Sequence, residues 1–110
     1  MPHRKFNACI EACNTCSVAC NDCAASCLQE SDVKMMARCI AHDMDCAQAC
    51  VFAASVIARG SAHCRSVCTL CAEICEACAS ECAKHEAKHC QWCAKACRAC
   101  AAECRKRPRH

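Results

Sequence analysis

Cysteine recurs along this chain at the spacing of an inward-facing helical seam. In the stretch CIEACNTCSVACNDCAASC the thiols stand at positions 9, 13, 16, 20, 23 and 27, in steps of 4, 3, 4, 3 and 4. An average step of 3.5 residues belongs to side chains pointing from one helix into a bundle. Such a seam ordinarily carries Leu, Ile or Val; here each position is a thiol. The same six-cysteine run returns at 64, 68, 71, 75, 78 and 82, and a further run stands at 90, 93, 97, 100 and 104. A strand would bury every second residue instead. The spacing requires helices whose sulfur-bearing faces meet.

Cysteine makes up 20 of the 110 residues. A share above roughly 8–10% is usual in the disulfide scaffolds of secreted proteins, so a disulfide-braced helical scaffold is one reading. Two features weigh against it. The start, MPHRKFNACIEAC, has basic residues but no apolar h-region and no small-residue cleavage site, so no signal peptide is expected. Disulfide miniproteins are also rich in loops, whereas this chain has one Gly, two Pro and abundant Ala. A cytoplasmic protein with free thiols is the expectation. No run approaches 18 apolar residues, so no membrane span is expected either. The net charge is +3, much of it in the tail RKRPRH at 105–110. That tail carries no aromatic residue and reads as a solvated end, so no nucleic-acid partner is expected.

The breaks divide the chain into one domain, 1–110, with helices at about 7–29, 32–58, 61–84 and 87–105 and a basic tail at 105–110. Asn7 suits the first N-cap and Ser31-Asp32 the second. In Arg59-Gly60-Ser61, the glycine suits a left-handed helix end and the serine the next N-cap. The second helix has three cysteines, at 39, 46 and 50, and their frame reads Met36, Cys39, Asp43, Cys46, Cys50, Ala53, Ile57. Its seam therefore starts with a thioether, passes a carboxylate among thiols and ends apolar. The last break has no Gly or Pro and is found from phase. Continuing from Cys82 places seam positions at 85 and 89, while counting back from Cys90 places one at 86. The frames disagree, which predicts a turn near Lys84–Ala87; one long helix with a stutter is the rival. Cysteine spacing repeats at an offset of 55 residues, so the chain reads as two related hairpins. Short links between helices of about 20 residues predict an all-α, antiparallel up-down-up-down four-helix bundle with a cysteine-lined core.

That topology sorts side chains to two ends. Phe6, Ile10, Phe52, Val56 and Ile57 fall at one end and predict an apolar plug. Met35, Met36, His85 and His89 fall at the other, with His42 and Asp43 further in, and predict a mouth for metal entry.

Nine cysteine pairs stand four apart and six stand three apart. Side chains four apart on a helix have Cβ atoms about 5–6 Å from each other, so two sulfurs on one helix can clamp one ion. Copper(I) accepts two or three soft thiolates, which one such pair nearly supplies. Zinc takes four tetrahedral ligands, which requires helices to converge at each ion. Soft thiolate sites suit copper(I), zinc or iron–sulfur clusters, but cluster spacings such as C-x2-C-x2-C are missing. A lone CxxC can be a redox dithiol; six interlaced with nine CxxxC pairs are not. Buried cysteine also packs as a small hydrophobe, which accounts for one or two thiols but not for 20. Buried thiols stay neutral without metal, so a folded metal-free protein is expected. Metal must then expel protons. The residues favour a copper(I) store without a catalytic constellation, with a zinc or general soft-metal thiolate buffer as the alternative.

In its four cysteine-lined segments, its repeated CxxxC pairs and its His and Met residues at one end, the chain resembles the bacterial copper storage proteins of the cytosolic type. The resemblance implies a four-helix bundle holding many copper(I) ions in its core, and a homotetramer. It implies cysteine ligands at Cys9, Cys13, Cys16, Cys20, Cys23, Cys27, Cys39, Cys46, Cys50, Cys64, Cys68, Cys71, Cys75, Cys78, Cys82, Cys90, Cys93, Cys97, Cys100 and Cys104. It also implies mouth ligands at Met36, Asp43, His85 and His89. The partners that follow are copper ions, other copies of the chain, and a copper chaperone or efflux regulator.

Overall fold

The computed structural model describes residues 7–106, which form four helices joined by short turns. Helix α1 spans Asn7–Cys27, α2 Ala37–Arg59, α3 Cys64–Cys82 and α4 Lys88–Arg105, with a 3-10 turn at Val33–Met36 ahead of α2. Each helix packs on the next, and α4 closes back on α1. The result is an antiparallel up-down-up-down rod of 47 × 19 × 17 Å, the architecture that the seam spacing requires.

Every cysteine lies on the inner face, none more than 6% exposed. Among the described residues no disulfide forms, and all twenty cysteines are in the thiol state. Alanines flank the seams, with Ala19, Ala47, Ala53, Ala72, Ala79, Ala94 and Ala101 buried beside them. Small residues next to small thiols let the helices approach closely, which draws the sulfurs together across the core.

The turns differ in detail from the sequence expectation. Asp32 caps the 3-10 turn, its Oδ1 accepting from the Met35 amide at 3.3 Å. That tightened turn delays α2 to Ala37, buries Met36 and leaves Met35 exposed. Gly60 is left-handed at φ 64°, ψ 39°. Its amide donates to Ile57 O at 3.1 Å, and the Ser61 amide donates to Val56 O at 3.0 Å, the paired bonds that close a helix end through a glycine. Ser61 was expected to cap the third helix directly. Instead its hydroxyl accepts from the His63 amide at 3.0 Å, and α3 starts at Cys64. Between α3 and α4 the backbone leaves the helix, with Ala87 extended at φ −57°, ψ 141°. The single long helix with a stutter is therefore excluded.

At the end away from that turn, Val56 and Ile57 are buried and Ile10 packs partly against the core. Phe52 does not join them: it is 51% exposed. The reason is angular. Cys50, Ala53 and Ile57 hold the inward stripe, and a residue two beyond Cys50 lies about 200° around the helix. Phe6 and the tail residues 107–110 lie outside the described residues. Ile57 is the largest fully buried apolar side chain. Ile57→Ala should cost about 2–5 kcal/mol of metal-free stability, measured by denaturant unfolding under reducing conditions; a loss below about 1 kcal/mol would mean that this end is not packed.

By length and composition the segment Val33–Arg59 qualifies as a membrane span, with mean hydropathy 1.2. It contains no unbroken run of 18 apolar residues, as the sequence led one to expect, since Lys34, Arg38, Asp43 and Asp45 interrupt it. Cysteine and alanine supply much of its apolar character, and the face carrying Cys39, Asp43, Cys46 and Cys50 is buried against the other helices. A core-facing stripe accounts for part of the hydropathy, while Met44, Val51 and Phe52 stay exposed on the outer face.

Candidate metal centre

Sulfur fills the bundle axis from end to end. Near the plug, Cys9 Sγ lies 3.9 Å from Cys104 Sγ, joining the start of α1 to the end of α4. Inward from there, Cys13, Cys71, Cys100 and Cys104 form a group whose Sγ atoms all lie within 4.8 Å of one another. Next come Cys16, Cys46, Cys50 and Cys75, then Cys16, Cys20, Cys46 and Cys97, then Cys20, Cys78, Cys93 and Cys97. Toward the opposite end, Cys23, Cys27, Cys39 and Cys90 close the series. Each of these groups draws on three helices. The three middle groups share members; Cys50–Cys100 at 3.8 Å joins them to the first group, and Cys78–Cys82 at 3.9 Å with Cys39–Cys82 at 3.3 Å joins them to the last, so the array is continuous.

This geometry adds contacts between helices to the expected pairs on one helix. Thiols four apart on one helix do meet, at 3.9 Å for Cys16–Cys20 and 3.8 Å for Cys23–Cys27. The closest approaches run between helices: 3.3 Å for Cys39–Cys82, 3.5 Å for Cys46–Cys75 and 3.6 Å for Cys16–Cys97. A tetrahedron with 2.3 Å zinc–sulfur bonds has sulfur–sulfur edges of about 3.8 Å. The convergence that zinc demands is therefore present, and sulfur spacing alone does not choose between the metals.

Asp43 stands inside this array with its side chain fully buried. Its Oδ1 accepts from Cys93, Cys78 and Cys82 at 3.2, 3.3 and 3.4 Å, and its Oδ2 from Cys39 at 3.9 Å. Burial pushes its carboxyl up to about 10, so at neutral pH it is a neutral acid held by thiol donors. Burial also pushes Cys90 up to about 11, and Cys27 up as well. Asp43, Cys27 and Cys90 thus hold their protons in the metal-free protein, and a soft cation must displace them to bind there.

Of the expected mouth residues, Met35, Met36 and His85 share one cleft, and His89 is not among its lining residues. The turns after α1 and α3 enclose a cleft of about 430 Å³ lined in part by Met35, Met36 and His85. His85 and His89 are largely covered, but their nearest charged partners are carboxylates rather than thiols. His85 Nε2 lies 3.2 Å from Glu81 Oε2. His89 Nε2 is buried without a well-formed hydrogen bond and stands 3.4 Å from Glu30 Oε2. The sequence reading missed both glutamates. Glu81 carried a usable signal, since it lies four residues before His85 on a helical continuation. Glu30 carried none, because its partner comes from the far hairpin.

The model of the copper storage protein family matches residues 2–108. An uncharacterized cysteine-rich protein of Bacillus subtilis, YhjQ, is 49% identical over 84 residues, covering 76% of this chain and 78% of that one. The solved structure of Cu(I)-bound copper storage protein BsCsp3 superposes with a TM-score of 0.88 at 48% identity, over 91% of this chain and 94% of the other. A cytosolic copper storage protein from Streptomyces lividans carrying five coppers superposes with a TM-score of 0.91 at 40% identity, over 94% and 92% of the two chains.

Proposed function

The chain belongs to the copper storage protein family, and from that premise we propose that it stores many copper(I) ions on the thiolates of its core. The observation that carries this reading is the continuous, fully enclosed array of thiols, none of them in a disulfide, along the axis. Charge selects the metal where spacing does not. Four thiolates around one zinc leave two negative charges in a buried site, and burying net charge is costly. One copper(I) per thiolate leaves none, and two thiolates per ion leave one, which sharing between adjacent groups reduces. A core of 20 thiols thus holds between about ten ions, at two sulfurs each, and about twenty, at one each.

All twenty cysteines serve as ligands in this reading. Met36, His85 and His89 pass copper inward from the cleft, and Asp43 accepts it among Cys39, Cys78, Cys82 and Cys93. The chain acts in the cytoplasm as a buffer that limits copper toxicity or supplies copper proteins. It performs storage rather than catalysis. It assembles as a homotetramer, a state that the exposed Val18, Val51 and Phe52 would support, and exchanges copper with a chaperone or efflux regulator. The similarity to a cytosolic relative supports the location.

Anaerobic titration of the reduced protein with copper(I) against a coloured chelator tests the reading. About ten or more ions should be withheld from the chelator, with protons released. Saturation below about five ions, or retention of zinc in preference to copper(I), would overturn it. Cys46 belongs to two of the four-sulfur groups described above, so Cys46→Ala should lower the capacity by about two ions; unchanged capacity would remove the central groups from the proposal.

A further inference from the structure

Glu81 lies on the last turn of α3 with its side chain 8% exposed. Its Oε1 is 3.3 Å from Lys84 Nζ and 3.6 Å from Arg38 Nε, and its Oε2 is 3.2 Å from His85 Nε2. One oxygen thus serves two cations and the other is left to the imidazole. With Lys84 and Arg38 held against one oxygen, the group stands as a carboxylate in a small ion-pair network. An ionised carboxylate only accepts hydrogen bonds. Facing that carboxylate, His85 Nε2 is the donor, which leaves Nδ1 as the nitrogen that can offer a lone pair to a metal. Histidines that bind metals usually donate their other ring N–H to a carboxylate or carbonyl, which fixes both tautomer and orientation.

We propose that Glu81 is a positioning residue for copper(I) entry: it accepts Nε2–H from His85 and so holds that ring at the cleft with Nδ1 as its metal-binding nitrogen. This rests on the reading of the cleft as the copper entrance. Glu81 itself is no storage ligand, since its own partners are cations rather than thiols. It acts on the rate at which copper reaches the core, not on how much the core holds. His89 has the weaker counterpart, Glu30, whose side chain is 37% exposed and holds its ring less firmly.

Stopped-flow transfer of copper(I) from a coloured chelator to reduced metal-free protein tests this, using wild type, Glu81→Gln, His85→Ala and the double variant. Glu81→Gln should slow the early phase roughly ten-fold and leave the final capacity unchanged. On the His85→Ala background the same change should add nothing, because its effect passes through that ring. Equal slowing with and without His85, or no slowing in either, would overturn the proposal. Long-range proton–nitrogen NMR on metal-free wild type gives a check that needs no variant. His85 should be in the Nε2–H tautomer, and an Nδ1–H tautomer would overturn the assignment. A wild type that takes up no copper(I) in the same assay would overturn the storage reading, and this proposal with it.

Discussion

Saturating the reduced protein with copper(I) should raise its unfolding midpoint by tens of degrees. The metal-free state starts out folded, because its thiols are neutral and pack as small apolar groups; the rod does not need metal to bury its seams. Each site filled at about a thousand times its dissociation constant adds roughly 4 kcal/mol to the native state. In a domain of this size 1 kcal/mol moves the midpoint by about 4–8 °C. Unfolded thiols also bind copper(I) and offset part of the gain. They cannot reproduce sites that draw on three helices, as the group of Cys16, Cys20, Cys46 and Cys97 does. Thermal unfolding followed by circular dichroism under nitrogen, at increasing copper equivalents, reads the effect. A metal-free protein without helical signal would show that copper folds the chain instead. A midpoint that ignores copper would remove the core from the binding site.

The second large effect is electrostatic. Asp43 has an ordinary unfolded pKa near 4 and a folded value of about 10. The folded state therefore binds a proton that the unfolded state has already lost. Its contribution to stability is fully present below about pH 4 and is lost as the pH rises toward 10. Between those limits the penalty grows by about 1.4 kcal/mol per pH unit, reaching about 4 kcal/mol at pH 7. Asp43→Asn keeps an acceptor for the Cys78, Cys82 and Cys93 thiols but does not ionise. The stability difference between this variant and wild type, both metal-free and reduced, should thus widen in the variant's favour from pH 5 to pH 9. Urea unfolding at several pH values measures it. A difference that stays constant with pH would mean that water reaches the carboxylate.

Some of the fold was legible before any coordinates. The 3.5-residue steps name the inner face of each helix, and the frame through Met36, Cys39, Asp43 and Cys46 put a carboxylate inside the core, where the structure has it. The misses share a cause. Phe52 was placed by its distance along the rod without its angle around the helix. Ser61 was read as a cap from residue type alone, although two further residues of turn were needed to redirect the chain. Glu30 and His89 are 59 positions apart in the sequence, and no local pattern links them.

Periodicity and composition determined on their own that four helices turn sulfur inward and that the seam of α2 changes from soft ligands to apolar ones. These are properties of single helices, and a helix of fixed pitch carries its pattern in the order of its residues. Only the packed bundle decided which thiols meet. Helix rotation and offset set the distances between neighbouring faces, so the closest sulfurs, Cys39 and Cys82, belong to different helices. The same packing brought Glu30 to His89 from the other hairpin. Contacts between elements depend on how separate surfaces dock, and no single stretch of the chain encodes that.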